Sequence, residues 1–142
     1  MKRLVLTAVV LVMVVFVVSC GKKEVKRVSE DSKMATETFA IADEIKDAYL
    51  KRDLFAIERN TTRDGFKEIS NVIKSFDSAQ LTFSPVLVEI DGGNVNLYVS
   101  WKGAWLKDGK TTEDRGMAVF VFKGVPMKVD AILRGNPFKY PE

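Results

Sequence analysis

The chain has 142 residues, with 22 basic and 19 acidic side chains, a net charge of +3, no histidine and one cysteine. This inventory excludes Ser-His and Cys-His nucleophile pairs, zinc sites built from several nitrogen and sulfur ligands, and any internal disulfide. The length suits one domain around one core, so stability must come from packing.

The first elements in chain order are targeting signals rather than fold. Lys2 and Arg3 supply positive charge, Leu4 to Val18 is apolar except for Thr7, and Ser19-Cys20-Gly21 follows. Charge, a short apolar stretch and a small residue before a cleavage point make a secretory signal. The sixteen residues from Leu4 to Ser19 fall short of the roughly 20 that a spanning helix needs. Val17-Val18-Ser19-Cys20 resembles the bacterial lipobox. That resemblance implies a signal peptide over residues 1–19, diacylglycerol on the Cys20 thiol, and acylation of the new amine. It implies a cell-envelope protein held to a membrane by lipid, on the periplasmic or extracellular side. Gly21 after the cysteine favours the outer membrane in a two-membrane bacterium, by resemblance to known sorting rules.

Removal of residues 1–19 deletes Lys2 and Arg3 and no acid. Twenty basic residues then face 19 acidic ones, a net charge of +1. The sequence pI near 9.0 therefore gives no support for nucleic-acid binding, which needs a clustered basic face. Residues 20–33 read as the lipidated cysteine and a flexible tether, too polar to bury a core. A single α+β domain is expected over residues 34–142.

Helices come first in that domain. Ile41, Ala42, Ile45, Ala48 and Tyr49 make an apolar stripe at helical spacing, flanked by Phe39 and Leu50. Asp53 can cap a short second helix carrying Leu54, Phe55 and Ile57. Thr62 can cap a third, with Asp64 in its first turn and a stripe of Phe66, Ile69, Val72, Ile73 and Phe76.

The period then changes from 3.6 to 2. Val95, Leu97, Val99, Trp101 and Trp105 alternate with polar positions, as in a half-buried strand. Gly92-Gly93, Asp108-Gly109 and Gly124-Val125 are the expected turns of a four-stranded meander. The first turn sets Ile90, Val88 and Val86 against Val95, Leu97 and Val99. The second sets Val95, Leu97, Val99 and Trp101 against Phe122, Phe120, Ala118 and Gly116. The third sets Phe122, Phe120 and Ala118 against Met127, Val129 and Ala131. All these positions share one face, so the three turns are mutually consistent. Leu81 and Phe83 break the parity, and a β-bulge near Ser84-Pro85 is expected to restore them to the inner face. The Asp91-Gly92-Gly93-Asn94 and Asp108-Gly109 segments lack the ligand spacing of calcium loops. No GxGxxG or GxxxxGK[ST] motif supports a nucleotide loop, and no cofactor is expected.

Three helices before a bent antiparallel meander resemble the nuclear transport factor 2-like superfamily, which includes the ketosteroid isomerases. The resemblance covers about residues 34–134 and rests on element order. It implies a cone with a pocket between helices and sheet, and frequent pairing through the outer sheet face. The usual short strand pair between the second and third helices has no room between Arg59 and Asp64. The isomerase-type aspartate base and Tyr/Asp oxyanion pair have no counterpart here, because Asp114 is the sole inward carboxylate that the register places. An enzyme is therefore not expected, and a small isomerase or hydrolase using the cone is the alternative.

Two candidate sites follow. Tyr49, Phe83, Trp101, Trp105, Asp114 and Phe120 can line a pocket for an apolar ligand, with Gly103 and Gly116 leaving space beside the indoles. Leu87, Tyr98, Met117, Val119, Val121 and Ile132 can form an apolar outer face, suited to a homodimer or covered by Phe138 and Tyr140 of the tail. Lys102, Arg115 and Arg134 are expected to stand opposite one another on that face, where an acidic residue or an anionic partner must offset their repulsion. The expected function is that of a binding or interaction module for a partner protein or an apolar ligand, with no nucleic-acid partner.

Overall fold

A computed structural model describes residues 29–141. Cys20, the signal segment and most of the expected tether lie outside the described residues. Three helices, α1 (Glu30–Lys51), α2 (Leu54–Arg59) and α3 (Arg63–Val72), precede one antiparallel sheet of four strands. The strands are β1 (Ser78–Asp91), β2 (Asn94–Lys107), β3 (Lys110–Lys123) and β4 (Lys128–Arg134), in that spatial order. The sheet is curled without closing, and the helices pack on its inner face.

The first helix starts at Glu30, inside the stretch expected to be tether. Ser29 caps it by accepting the Ser32 N–H at 3.2 Å, and Glu30 and Asp31 place negative charge in the first turn. Those two carboxylates favour the positive helix end, so polar residues unfit for a core still begin a helix. The expected stripe is buried at Ala42, Ile45, Ala48 and Tyr49, and Thr38 extends it by one turn. Thr38 is polar but satisfied, because its hydroxyl donates to the Met34 carbonyl at 2.9 Å. Arg52 ends the helix in a left-handed conformation, and its guanidinium lies 4.8 Å from the centre of the Phe76 ring.

Both other caps form as the sequence implies. Asp53 accepts the Ala56 N–H at 3.0 Å, and Thr62 accepts the Gly65 N–H at 3.2 Å. Only Ile57 of the α2 trio is buried, whereas Leu54 and Phe55 are exposed. A six-residue helix shows one residue to the core before it ends.

The α3 helix is stitched to the outer edge of β4. Thr62 N–H donates to the Val129 carbonyl at 2.8 Å, and Val129 N–H donates to the Asn60 carbonyl at 3.0 Å. The Thr62 hydroxyl also donates to Asp130 at 2.9 Å, while the Ile132 N–H donates to the Glu68 carboxylate at 3.2 Å. Gly65 permits this approach, since a Cβ there would stand 2.2 Å from the Val129 carbonyl oxygen. Lys123 donates to Asp130 as well, at 2.5 Å, and these two partners hold the Asp130 carboxyl below its ordinary pKa.

The first two turns behave as expected. Gly92-Gly93 and Asp108-Gly109 adopt positive φ at both central positions, as two-residue hairpins require. Every expected β2–β3 pair is present, from Val95 with Phe122 to Trp101 with Gly116. In β1 the bulge falls between Pro85 and Leu87, so Val86 is the extra residue and Val99 faces Pro85. Val86 is consequently exposed rather than inward, whereas Leu81 and Phe83 return to the inner face and are buried.

The third turn differs. It spans the four residues Gly124 to Met127, so Phe122 faces Val129 rather than Met127. Pro126 has no N–H and cannot open a ladder beside Lys123. A second irregularity leaves Asp130 unpaired between Val129 and Ala131. The register moves by two residues at the turn and by one at the bulge. An odd total turns the rest of β4 over. Phe120 therefore faces Ile132, Val121 faces Ala131, and Ala118 faces Arg134.

Candidate functional site: the two faces of the sheet

The inner face is a packed aromatic core. Tyr49, Phe83, Trp101, Trp105 and Phe120 are each at most 7 % exposed. The Trp105 indole N–H donates to the Tyr49 hydroxyl at 2.7 Å, so the two polar atoms satisfy each other inside the core. Burial raises the Tyr49 pKa, partly offset by that hydrogen bond. Among the described residues every buried side-chain polar atom has a partner.

Gly103 and Gly116 do not leave open space, because the indoles occupy it. A Cβ on Gly103 would stand 2.1 Å from the Trp105 ring, and one on Gly116 would meet Trp101 at 3.0 Å. These glycines let each indole lie flat on a strand. The remaining room is taken by the tail after β4. Phe138 is fully buried, with its ring centre 5.2 Å from that of Tyr49, 6.1 Å from Phe83 and 6.2 Å from Phe120. Trp101 holds the base of the tail by donating its indole N–H to the Gly135 carbonyl at 3.1 Å. Tyr140 rests edge-on against Trp105. The tail therefore covers the inner face, not the outer one.

Asp114 stands apart from the aromatic group. It is exposed at the open end of the sheet and accepts the Arg115 backbone N–H at 2.8 Å. It lines a cleft of about 430 Å³ beside Trp101, Asn136, Lys139 and Tyr140. Among the described residues no second carboxylate or histidine pairs with it, and no three metal-ligating side chains gather.

The outer face carries an apolar row that crosses all four strands. Leu87 faces Tyr98, Tyr98 faces Val119, and Val119 faces Leu133. Val119 is only 4 % exposed within the row, whereas Leu87 and Leu133 are 49 % and 53 % exposed. Val121 and Met117 flank it, both half-buried. Ile132 does not belong to this face. The odd shift in β4 sends it inward, where it is 5 % exposed, and brings Leu133 out in its place. Tyr98 is anchored by donating its hydroxyl to Glu89 at 2.7 Å, which raises its pKa.

The expected row of three cations is reduced to two. Lys102 faces Arg115, but Arg134 faces Ala118 and its guanidinium lies 5.6 Å from the Tyr98 ring. Glu113 is two residues from Arg115 on the same strand face, yet among the described residues it forms no ion pair with either cation. Thr82, Lys102, Ala104, Glu113 and Arg115 surround an outer cleft of about 570 Å³.

No protein-family model matches the chain, and no curated protein does either. Sequence reasoning placed five aromatics on one surface correctly but missed the residue that fills the space between them. The available signal was Phe138 itself, an aromatic just after Asn136-Pro137 and within reach of an inner face with small residues at Gly103, Gly116 and Ala118.

Proposed function

We propose that this chain is a lipid-anchored, extracytoplasmic interaction module whose outer sheet face pairs with a second copy of itself. The observation that carries this reading is the apolar row Leu87–Tyr98–Val119–Leu133, whose two ends, Leu87 and Leu133, are about half exposed, with only the Arg134 guanidinium set against the Tyr98 ring between them. Antiparallel sheets usually present a polar side to water, and a contiguous apolar surface marks an interface.

Charge favours a second copy as the occupant. Glu89 and Asp91 lie at one end of the outer face on the β1 side, with Lys123 and Lys128 across the sheet from them, and Lys102 and Arg115 lie at the other end beside Glu113. A two-fold axis across the strands stacks the apolar rows and brings Glu89 and Asp91 of one copy towards Lys102 and Arg115 of the other. Two-fold interfaces are self-complementary in this way. The resemblance to the nuclear transport factor 2-like cone agrees, since such proteins often pair through this face. The lipobox-like Val17-Val18-Ser19-Cys20 supplies the anchor, and two or more acyl chains hold a protein firmly to a bilayer. The apolar-ligand reading is less favoured, because Phe138 occupies the inner face.

Sedimentation of the full chain in detergent tests the pairing. The expected species is a dimer that Leu87→Asp with Leu133→Asp converts to a monomer of unchanged circular dichroism. A monomer at every concentration would sink the proposal. Intact mass tests the anchor: the native chain should carry the mass of attached acyl chains, and Cys20→Ala should lose it.

A further inference from the structure

We propose that the segment after β4 is a releasable plug, and that the space Phe138 fills is a latent site for one neutral aromatic ring. This inference concerns the inner face and is independent of the pairing proposed for the outer one.

The wiring of the segment is the first ground. The sheet ladder ends at Arg134, which adopts a φ of 66° and turns the chain away. Gly135 is held by two hydrogen bonds, its N–H donating to the Met117 carbonyl at 3.0 Å and its carbonyl accepting from Trp101. Beyond Gly135 the ties stop. Among the described residues, the only hydrogen bonds of Asn136 to Pro141 are internal, from the Phe138 and Lys139 N–H groups to Asn136. Side-chain packing alone fixes the remainder. Segments without backbone ties to the fold open below the free energy of global unfolding.

The walls are the second ground. Tyr49 belongs to α1, Phe83 to β1 and Phe120 to β3, so each is positioned by an element that does not depend on the plug. Withdrawal of Phe138 leaves a hole the size of its ring with those walls standing. Rigid apolar cavities of this kind stay dry and accept benzene-sized molecules. The one polar atom in these walls, the Tyr49 hydroxyl, already accepts from Trp105, and a charged guest would leave water for aromatic rings. The ligand class is therefore a flat, neutral, apolar ring. The cleft of about 430 Å³ between the segment and Trp101 is lined by Gly135, Asn136, Lys139 and Tyr140, so one side of the plug already faces open space.

The plug is an internal competitor, and external affinity is reduced by the fraction of molecules with Phe138 withdrawn. The test is a titration of the full chain in detergent with benzene, corrected for partition into empty micelles and followed by the indole N–H signals of Trp101 and Trp105. The unmodified chain should show a saturable shift of both signals while the amide signals of residues 136–140 sharpen into those of a mobile segment. Phe138→Ala should bind at least tenfold more tightly. Binding by Phe138→Ala alone would overturn the proposal, because the plug then never leaves. A saturable shift with unchanged 136–140 signals would overturn it too. If Phe138→Ala does not fold, the titration of the unmodified chain decides by itself.

Discussion

The inner and outer faces of β2 and β3 are built from alternate residues of the same two strands, yet one face is covered by helices and tail and the other carries exposed apolar side chains at its margins. Inward, Val95, Leu97, Val99, Trp101 and Trp105 are all buried under helices and tail. Outward, the neighbours Tyr98 and Val119 form an apolar row flanked by exposed Leu87 and Leu133. The lesson is that apolar content alone does not separate a core from an interface. What separates them is whether the same chain supplies a cover. Here the covering aromatic is Phe138, and it goes to the inner side.

The contrast can be broken most severely at Trp105. Trp105→Ala should cost about 3–5 kcal/mol, the usual loss for a large buried ring, and chemical denaturation measures it directly. Retention of native stability would mean that the inner face is not the core.

A paired comparison sharpens the contrast within one strand. Ile132→Ala should cost about 2–4 kcal/mol because Ile132 is buried on the inner face, and Leu133→Ala should cost under about 1 kcal/mol in the monomer. The simple two-residue turn at Gly124-Val125 predicts the opposite ranking, so the two denaturation midpoints decide between registers.

Smaller effects probe single bonds. Tyr49→Phe should lose about 1–3 kcal/mol, since it leaves the Trp105 N–H buried without an acceptor. The signature is a loss greater than that of Tyr98→Phe, whose hydroxyl bonds Glu89 at an exposed site. Asp130→Asn should weaken the domain least, and in a pH-dependent way. The folded Asp130 carboxyl lies below its ordinary value of 3.8, so its contribution is full above that pH and fades as pH falls through the folded pKa. Thermal melts of wild type and Asp130→Asn should therefore differ at neutral pH and converge in strong acid.

The β2–β3 register was legible because Asp108-Gly109 permits one turn geometry, and that turn fixes every later pair. Helix caps were legible for a similar reason: Asp53 and Thr62 act on amides three residues away, so local sequence suffices. The β4 register was not legible. Its turn length depends on how Pro126 is accommodated, and its bulge places Asp130 where Thr62 and Lys123 can both reach it. Thr62 lies 68 residues away in sequence, and no local pattern announces such a contact. The filling of the inner face was not legible for a different reason. Small residues at Gly103 and Gly116 show that something large lies over them, but not whether it is a ligand, an indole or the tail.

The stitching of Asn60, Thr62 and Glu68 along β4 has a consequence for how copies of this chain can meet. Unpaired amides on a sheet margin are templates for adding a foreign strand, and fibres grow by that route. The amides of Val129 and Ile132 are already spoken for by the helical layer. Growth by strand recruitment is thereby blocked on that side, and any association there must proceed through side chains.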